Sequence, residues 1–198
     1  MKPPSKVIRS ATRADLEALP STWRGEIIDG TLRAFPRRPS RHARIEGLLR
    51  ASLLSSPRRG RGAGGWWILP EPGIEVTRSP RFSPDLAGWR VERMAGVPPE
   101  NEVITVVPDW VCEILSPGTA SYDSIVKRRF YAEIGVAHLW TIDPARLELE
   151  VCRIVHGRWL QLGVHGADET VRAEPFEAVE VTLAEWWEGI DEDEEPGE

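Results

Sequence analysis

Residues 109–143 read DWVCEILSPGTASYDSIVKRRFYAEIGVAHLWTID. DWVCEIL (109–115) has the length and the aromatic, β-branched content of a buried strand. Ser116-Pro117-Gly118 stops it. Ser121 or Asp123 can cap a helix that runs to about Ile134, and Gly135 closes it. VAHLWTID (136–143) is a second buried strand, ended by Asp143-Pro144. Two strands joined through a helix form a βαβ unit, so they are expected to lie parallel.

Outward from this unit the pattern changes to hairpins. Upstream, TRADLEAL (12–19) reads as a short helix with Thr12 as N-cap. WRGEIIDGTLRAF (23–35) reads as a hairpin turning at Asp29-Gly30. PSRHARIEGLLRASLLSS (39–56) reads as an amphipathic helix, with Ile45, Leu48, Leu49, Leu53 and Leu54 at helical spacing. RRGRGAGG (58–65) reads as a flexible basic loop. WWIL (66–69), GIEV (73–76) and DLAGW (85–89) are strand candidates, and residues 91–107 a surface loop. Downstream, LELEVCRIV (147–155) and GRWLQLGV (157–164) read as antiparallel strands turning at His156-Gly157, and TLAEWWEG (182–189) as a short helix. The expected architecture is a mixed β-sheet flanked by helices, α+β or α/β. Residues 1–11 read as a flexible leader, 12–190 as the domain, and DEDEEPGE (191–198) as a disordered acidic tail.

The chain has 198 residues, 41% hydrophobic and 28% charged, the balance of one globular domain. No apolar run reaches the roughly 18–20 residues of a membrane span, and the first residues lack the apolar core of a signal peptide. Cys112 and Cys152 lie in apolar runs and read as buried thiols, with a reducing cytoplasm as the expected compartment. Residues 1–62 carry 14 Lys/Arg against 5 Asp/Glu, a net of +9, and residues 163–198 carry 1 against 13, a net of −12. The basic third can meet phosphate, through Arg37, Arg38, Arg41 and Arg44 and through Arg58, Arg59 and Arg61. Alternatively, the two ends neutralise each other or a second subunit. Nine Trp residues include the pairs Trp66-Trp67 and Trp186-Trp187. They can stack bases, but packing in a core or a dimer face is favoured. Exposed Trp pairs and opposite end charges would suit a homodimer.

Three positions stand out by context. Asp85 follows Pro84 at the start of a strand. Glu113 lies inside an apolar strand, on one face with Val111 and Leu115. An ion there is costly unless paired or cation-bound; the alternative is an edge strand whose polar side meets water. Lys127 is the only lysine beyond Lys2 and Lys6 in a chain with 22 Arg. Asp123, Lys127 and Tyr131 are spaced by four and form one helix stripe, with Ile125, Phe130 and Ile134 largely on another side. Either Asp123–Lys127 is a surface ion pair, or Lys127 and Tyr131 point toward Glu113. Two carboxylates with a nearby cation are the parts needed for metal-assisted phosphodiester hydrolysis.

PD (84–85), EILSP (113–117) and Lys127 with RFYAEIGVAHLWTIDP (129–144) resemble the Uma-type putative restriction endonuclease family of the PD-(D/E)XK nuclease superfamily. GEIIDGTL (25–32), RHARIEGLL (41–49) and TLAEWW (182–187) are similar too, so the resemblance spans roughly residues 12–187. It implies three antiparallel strands leading into a helix and a fourth strand. It implies a metal-dependent endonuclease acting on DNA with Mg²⁺ (or Mn²⁺), in which Asp85 and Glu113 are metal ligands and the Ile114 carbonyl can add an oxygen. Glu26 matches an upstream acidic position able to reach the metal through water. Leu115 stands where the superfamily usually has its lysine, and Lys127 fits the helix placement of this family. His42 and Tyr131 are accessory candidates; for His42 the alternative is a helix-start histidine bonded to a backbone carbonyl. A second function class is a non-catalytic nucleic-acid-binding or assembly module that retains the scaffold. A third is hydrolysis of RNA or of a nucleotide.

Overall fold

The computed structural model describes residues 6–36, 40–54, 65–77, 79–94, 96, 103–116 and 120–188. Arg37, Arg38, Arg58, Arg59, Arg61 and the acidic tail lie outside the described residues.

Two sheets share the work. The smaller holds β1 (Lys6–Arg9), β2 (Trp23–Ile28), β3 (Thr31–Pro36), β5 (Ile74–Val76) and β6 (Ser79–Phe82), in the order β1-β3-β2-β6-β5. The larger holds β4 (Trp66–Pro70), β7 (Leu86–Arg90), β8 (Trp110–Ile114), β9 (His138–Asp143), β10 (Glu148–Val155) and β11 (Arg158–His165), in the order β11-β10-β9-β8-β7-β4. A third ladder pairs β12 (Thr170–Val171) with β13 (Val181–Thr182). Helices are α1 (Arg13–Glu17), α2 (Ser40–Leu54), α3 (Ala120–Tyr122), a π-helical turn (Asp123–Lys127), α4 (Arg128–Ile134) and α5 (Ala184–Trp187). The result is the α+β architecture expected: mixed sheets flanked by helices.

The βαβ unit is present. β8 and β9 run parallel, with Glu113 beside Thr141, while β7 pairs antiparallel with β8 and β4 with β7. Gly135 ends α4 at φ 84° and ψ 30°, a left-handed conformation that glycine adopts at little cost. Asp29 and Gly30, at φ 48° and 70°, make the two-residue turn between β2 and β3.

β8 is central and buried on both faces. Trp110, Cys112 and Ile114 pack in one core with Trp140 and Ile142, roofed by Ile45, Leu49 and Leu53 of α2 and by Trp186 of α5. Val111 packs in the second core with Ala87, Trp89 and Leu139, against Phe130 and Tyr131 of α4 and Phe82 of β6. The edge-strand reading of Glu113 is therefore wrong, because β7 and β9 occupy both edges of β8.

Several other expectations need correction. Residues 6–9, read as part of a leader, form β1 and pair with β3 from Lys6↔Ala34 to Arg9↔Thr31. Ser121 and Asp123 do not cap the helix; it is already under way at Ala120. The Trp pairs pack as favoured, not as exposed pairs: Trp66, Trp186 and Trp187 are buried, and Trp67 packs partly buried against the second core. Among the described residues no helix is long and apolar enough to cross a membrane.

Candidate active site

The β7–β8 ladder fixes two carboxylates as neighbours. Its recorded pairs include Ala87↔Val111 and Leu86↔Cys112. Asp85 and Glu113 are the residues just beyond the last of these pairs, and the Asp85 carboxylate reaches the amide of Ile114, next to Glu113. Both side chains are buried, Asp85 completely.

Asp85 is held by donors from three elements. Its Oδ2 accepts the Ile114 amide at 2.7 Å and lies 3.3 Å from His42 Nε2 on α2. Its Oδ1 faces Arg24 Nη1 of β2 at 3.4 Å, and that nitrogen also meets Glu71 Oε1 at 2.8 Å. Burial pushes the Asp85 carboxyl up, but the hydrogen bond and charge of His42, with Arg24 and Lys127, outweigh it and hold it below its ordinary range.

Glu113 has a different setting. Lys127 Nζ lies 2.7 Å from its Oε1, and the Tyr131 hydroxyl donates to that same oxygen. Glu113 Oε2 is buried with no hydrogen-bond partner. Burial dominates here and pushes the carboxyl well above its usual range, against the attraction of Lys127 and with added repulsion from Asp85, Asp123 and Glu26.

Lys127 joins the cluster together. It is fully buried. Its Nζ is 3.3 Å from Glu26 Oε1, 3.7 Å from Asp123 Oδ1 and 3.5 Å from the Ser83 carbonyl. Burial alone would lower its pKa; Glu113, Glu26 and Asp123 reverse that and keep the ammonium protonated. The surface-pair reading of Asp123–Lys127 is thus wrong, since both are buried. The π-helical turn spans these residues, a local widening often found at functional sites. Glu26 is anchored as well, its Oε2 accepting the Ser83 amide at 3.3 Å.

The structure therefore gathers Glu113, Lys127, Glu26 and Tyr131 in one contact network. Asp85 and His42 form an adjoining pair, tied to the network through Ile114 next to Glu113. The Ile114 group seen at work is its amide. Sequence reading missed Arg24, Glu71 and Glu46. Arg24 and Glu26 alternate along β2, which was a usable signal once β2 was assigned. Glu46 lies one turn beyond His42 on α2, and its carboxyl is pushed up to about 7 by half-burial and by the charges of Asp85 and Glu71.

Among the described residues no group of three or more His, Cys, Asp or Glu side chains is arranged to hold a metal ion. Mg²⁺ asks for less, because it keeps several waters and takes one or two carboxylates. The buried, unpartnered Oε2 of Glu113 is a hard oxygen donor of the kind such an ion takes, with the Asp85 carboxylate held beside the next residue, Ile114.

A structural comparison finds a protein described as a putative nuclease belonging to DUF820 from Anabaena variabilis ATCC 29413. The likeness has a TM-score of 0.66 at 20% identity and covers 83% of this chain and 89% of that one, which shows a shared fold. A search of curated proteins found no match. The model of the Uma2 family, described as "Putative restriction endonuclease", matches residues 13–184, most of the chain and all the side chains just described. The chain belongs to the Uma2 family.

Proposed function

We propose that the protein is a metal-dependent nuclease that hydrolyses DNA phosphodiester bonds. The observation that carries this reading is Lys127: a fully buried ammonium, 2.7 Å from Glu113, in an acidic cluster within the span that matches the family. Asp85 and Glu113 would hold Mg²⁺ (or Mn²⁺), the Ile114 carbonyl would add an oxygen, and Glu26 would reach the ion through water. When bound, the cation polarises the phosphate and lowers the pKa of a bound water.

The chain's own groups divide the remaining tasks. Lys127 and Tyr131 both occupy Glu113 Oε1, which leaves Oε2 for the cation. His42 and the Ile114 amide orient Asp85. Lys127 stays protonated, so it is an unsuitable general base; its role is to offset charge growing on the phosphate and to orient the attacking water. The test is plasmid cleavage with Mg²⁺ or Mn²⁺ by wild type, Asp85→Ala and Lys127→Ala, with a chelator control. Loss of cleavage by about 100-fold or more is expected in both variants. Equal activity in all three would overturn the assignment.

One observation favours a second reading, a module that keeps the scaffold without catalysis: both Asp85 oxygens already face donors. Calorimetric titration with Mg²⁺ separates the two. Binding that disappears in Asp85→Ala supports the nuclease, and absence of binding in wild type supports the module.

A further inference from the structure

Beside the acidic cluster lies a cleft of about 370 Å³. Glu26 and Ser83 line it, and both touch the buried Lys127 ammonium, so the cleft borders the cluster through these two residues. It lies where β2 and β6 pair at one position, Ile27↔Arg81. Beyond that pair the Glu26 carboxylate, rather than a β2 carbonyl, takes the Ser83 amide.

The lining is cationic in an unusual way. Arg24 is spent on Glu71 and Asp85. Arg33 and Arg81 line the cleft as well, and among the described residues neither makes an ion pair. Arg33 stands opposite Glu26 in the β2–β3 ladder, and its guanidinium lies 4.7 Å from the Tyr122 ring centroid. Arg81 lies over Gly73; a Cβ there would stand 2.6 Å from Arg81 Nη2, so only glycine leaves the guanidinium its place. Trp23 and Phe35 supply aromatic wall. Two guanidinium groups that make no ion pair with any described residue suit phosphate, and the aromatic rings suit a base. The volume is that of a small-molecule pocket. A stacked base pair is too large for it, whereas a nucleotide taken out of the stack is not.

We propose that this cleft binds one unpaired nucleotide of the DNA strand, its phosphate at Arg33 and Arg81 and its base against Trp23 and Phe35. The protein would then favour single-stranded or locally opened DNA over a closed duplex. The proposal rests on the nuclease reading for the identity of the polyanion, but binding in chelator tests it without catalysis.

The experiment is fluorescence anisotropy in EDTA, with a labelled 12-nucleotide oligo(dT) and a duplex of the same length. The single strand is expected to bind at least about tenfold tighter. Arg81→Gln and Gly73→Ala should each weaken single-strand binding by about tenfold while changing duplex binding less than about twofold, the second by displacing Arg81 without removing it. The Arg33→Gln/Arg81→Gln pair should reduce the salt slope for the single strand by about 1.4, two phosphate contacts at about 0.7 each. Equal affinity for strand and duplex, or single-strand binding unchanged in both Arg81→Gln and Gly73→Ala, overturns the cleft even if plasmid cleavage stands. Strand preference that depends on Arg81 and Gly73, in a protein that cleaves nothing, supports the cleft and defeats the hydrolytic reading.

Discussion

Asp85 and Glu113 lie just past the end of one ladder, both buried, yet their surroundings drive them in opposite directions. Asp85 receives a backbone amide, an imidazole and a guanidinium, and its carboxyl is held low. Glu113 shares one ammonium with Glu26 and Asp123, keeps an unpartnered oxygen, and its carboxyl is driven up. Burial is therefore not what distinguishes them. The number and aim of donors decides whether a buried carboxylate keeps its charge. Within the protein, both Asp85 oxygens meet donors, whereas one Glu113 oxygen meets none.

Lys127 carries the largest share of the difference between the two carboxylates, because it is the one ammonium beside Glu113 among the described residues. Lys127→Ala would leave three buried acidic groups without the ammonium. The expected loss is about 3–5 kcal/mol, measured by urea unfolding in chelator. A loss below about 1 kcal/mol would mean that the cluster is already neutral and that Lys127 is not its counter-charge. Lys127→Arg sharpens the same point. Arginine keeps the charge but brings a larger planar fork, and cleavage is expected to fall. Full activity in that variant would remove the argument from the chain's only internal lysine.

Asp85→Asn is the matching change on the other side. The amide oxygen can still accept from Ile114, but His42 and Arg24 lose their charged partner. A smaller loss of about 1–3 kcal/mol is expected by the same measurement. If it exceeds that of Lys127→Ala, the order argued from donor number is reversed.

Much of this site was legible in the chain. Glu113 stood out because a charge in an apolar run breaks the local pattern, and Lys127 and Tyr131 because a spacing of four sets them on one helix stripe. The parallel strands followed from two apolar runs around a helix. What escaped depended on long-range pairing. KVIR (6–9) is short and charged, as protected edge strands are, so it looked like a loose leader. SPRF (79–82) carries Pro80, which argues against a strand until β5 and β2 are seen to accept it. Whether Asp123–Lys127 lay at the surface or in the core could not be read from spacing, because a π-helical turn carries both inward.

The smallest expected effect has the opposite sign and tests the comparison most sharply. Glu113→Gln keeps an oxygen able to accept from Lys127 and Tyr131 while removing a charge that burial opposes. In chelator at neutral pH the variant is expected to be more stable than wild type by about 1 kcal/mol, although its cleavage is lost. The pH dependence gives the sign. A raised carboxyl means that the folded state binds more protons than the unfolded one above pH 4.5, the ordinary value for Glu. Wild-type stability is then lost as pH rises from there through the folded pKa, and the advantage of Glu113→Gln grows over that range. Asp85 runs the other way. Its lowered carboxyl contributes stability above its ordinary 3.8, lost as pH falls through its folded pKa, so the deficit of Asp85→Asn shrinks in acid. Urea midpoints for the three proteins between pH 3 and 8 measure both trends. If the stabilities of both variants relative to wild type move in the same direction with pH, Glu113 is as well satisfied as Asp85, and its free oxygen is no longer a place held for a cation.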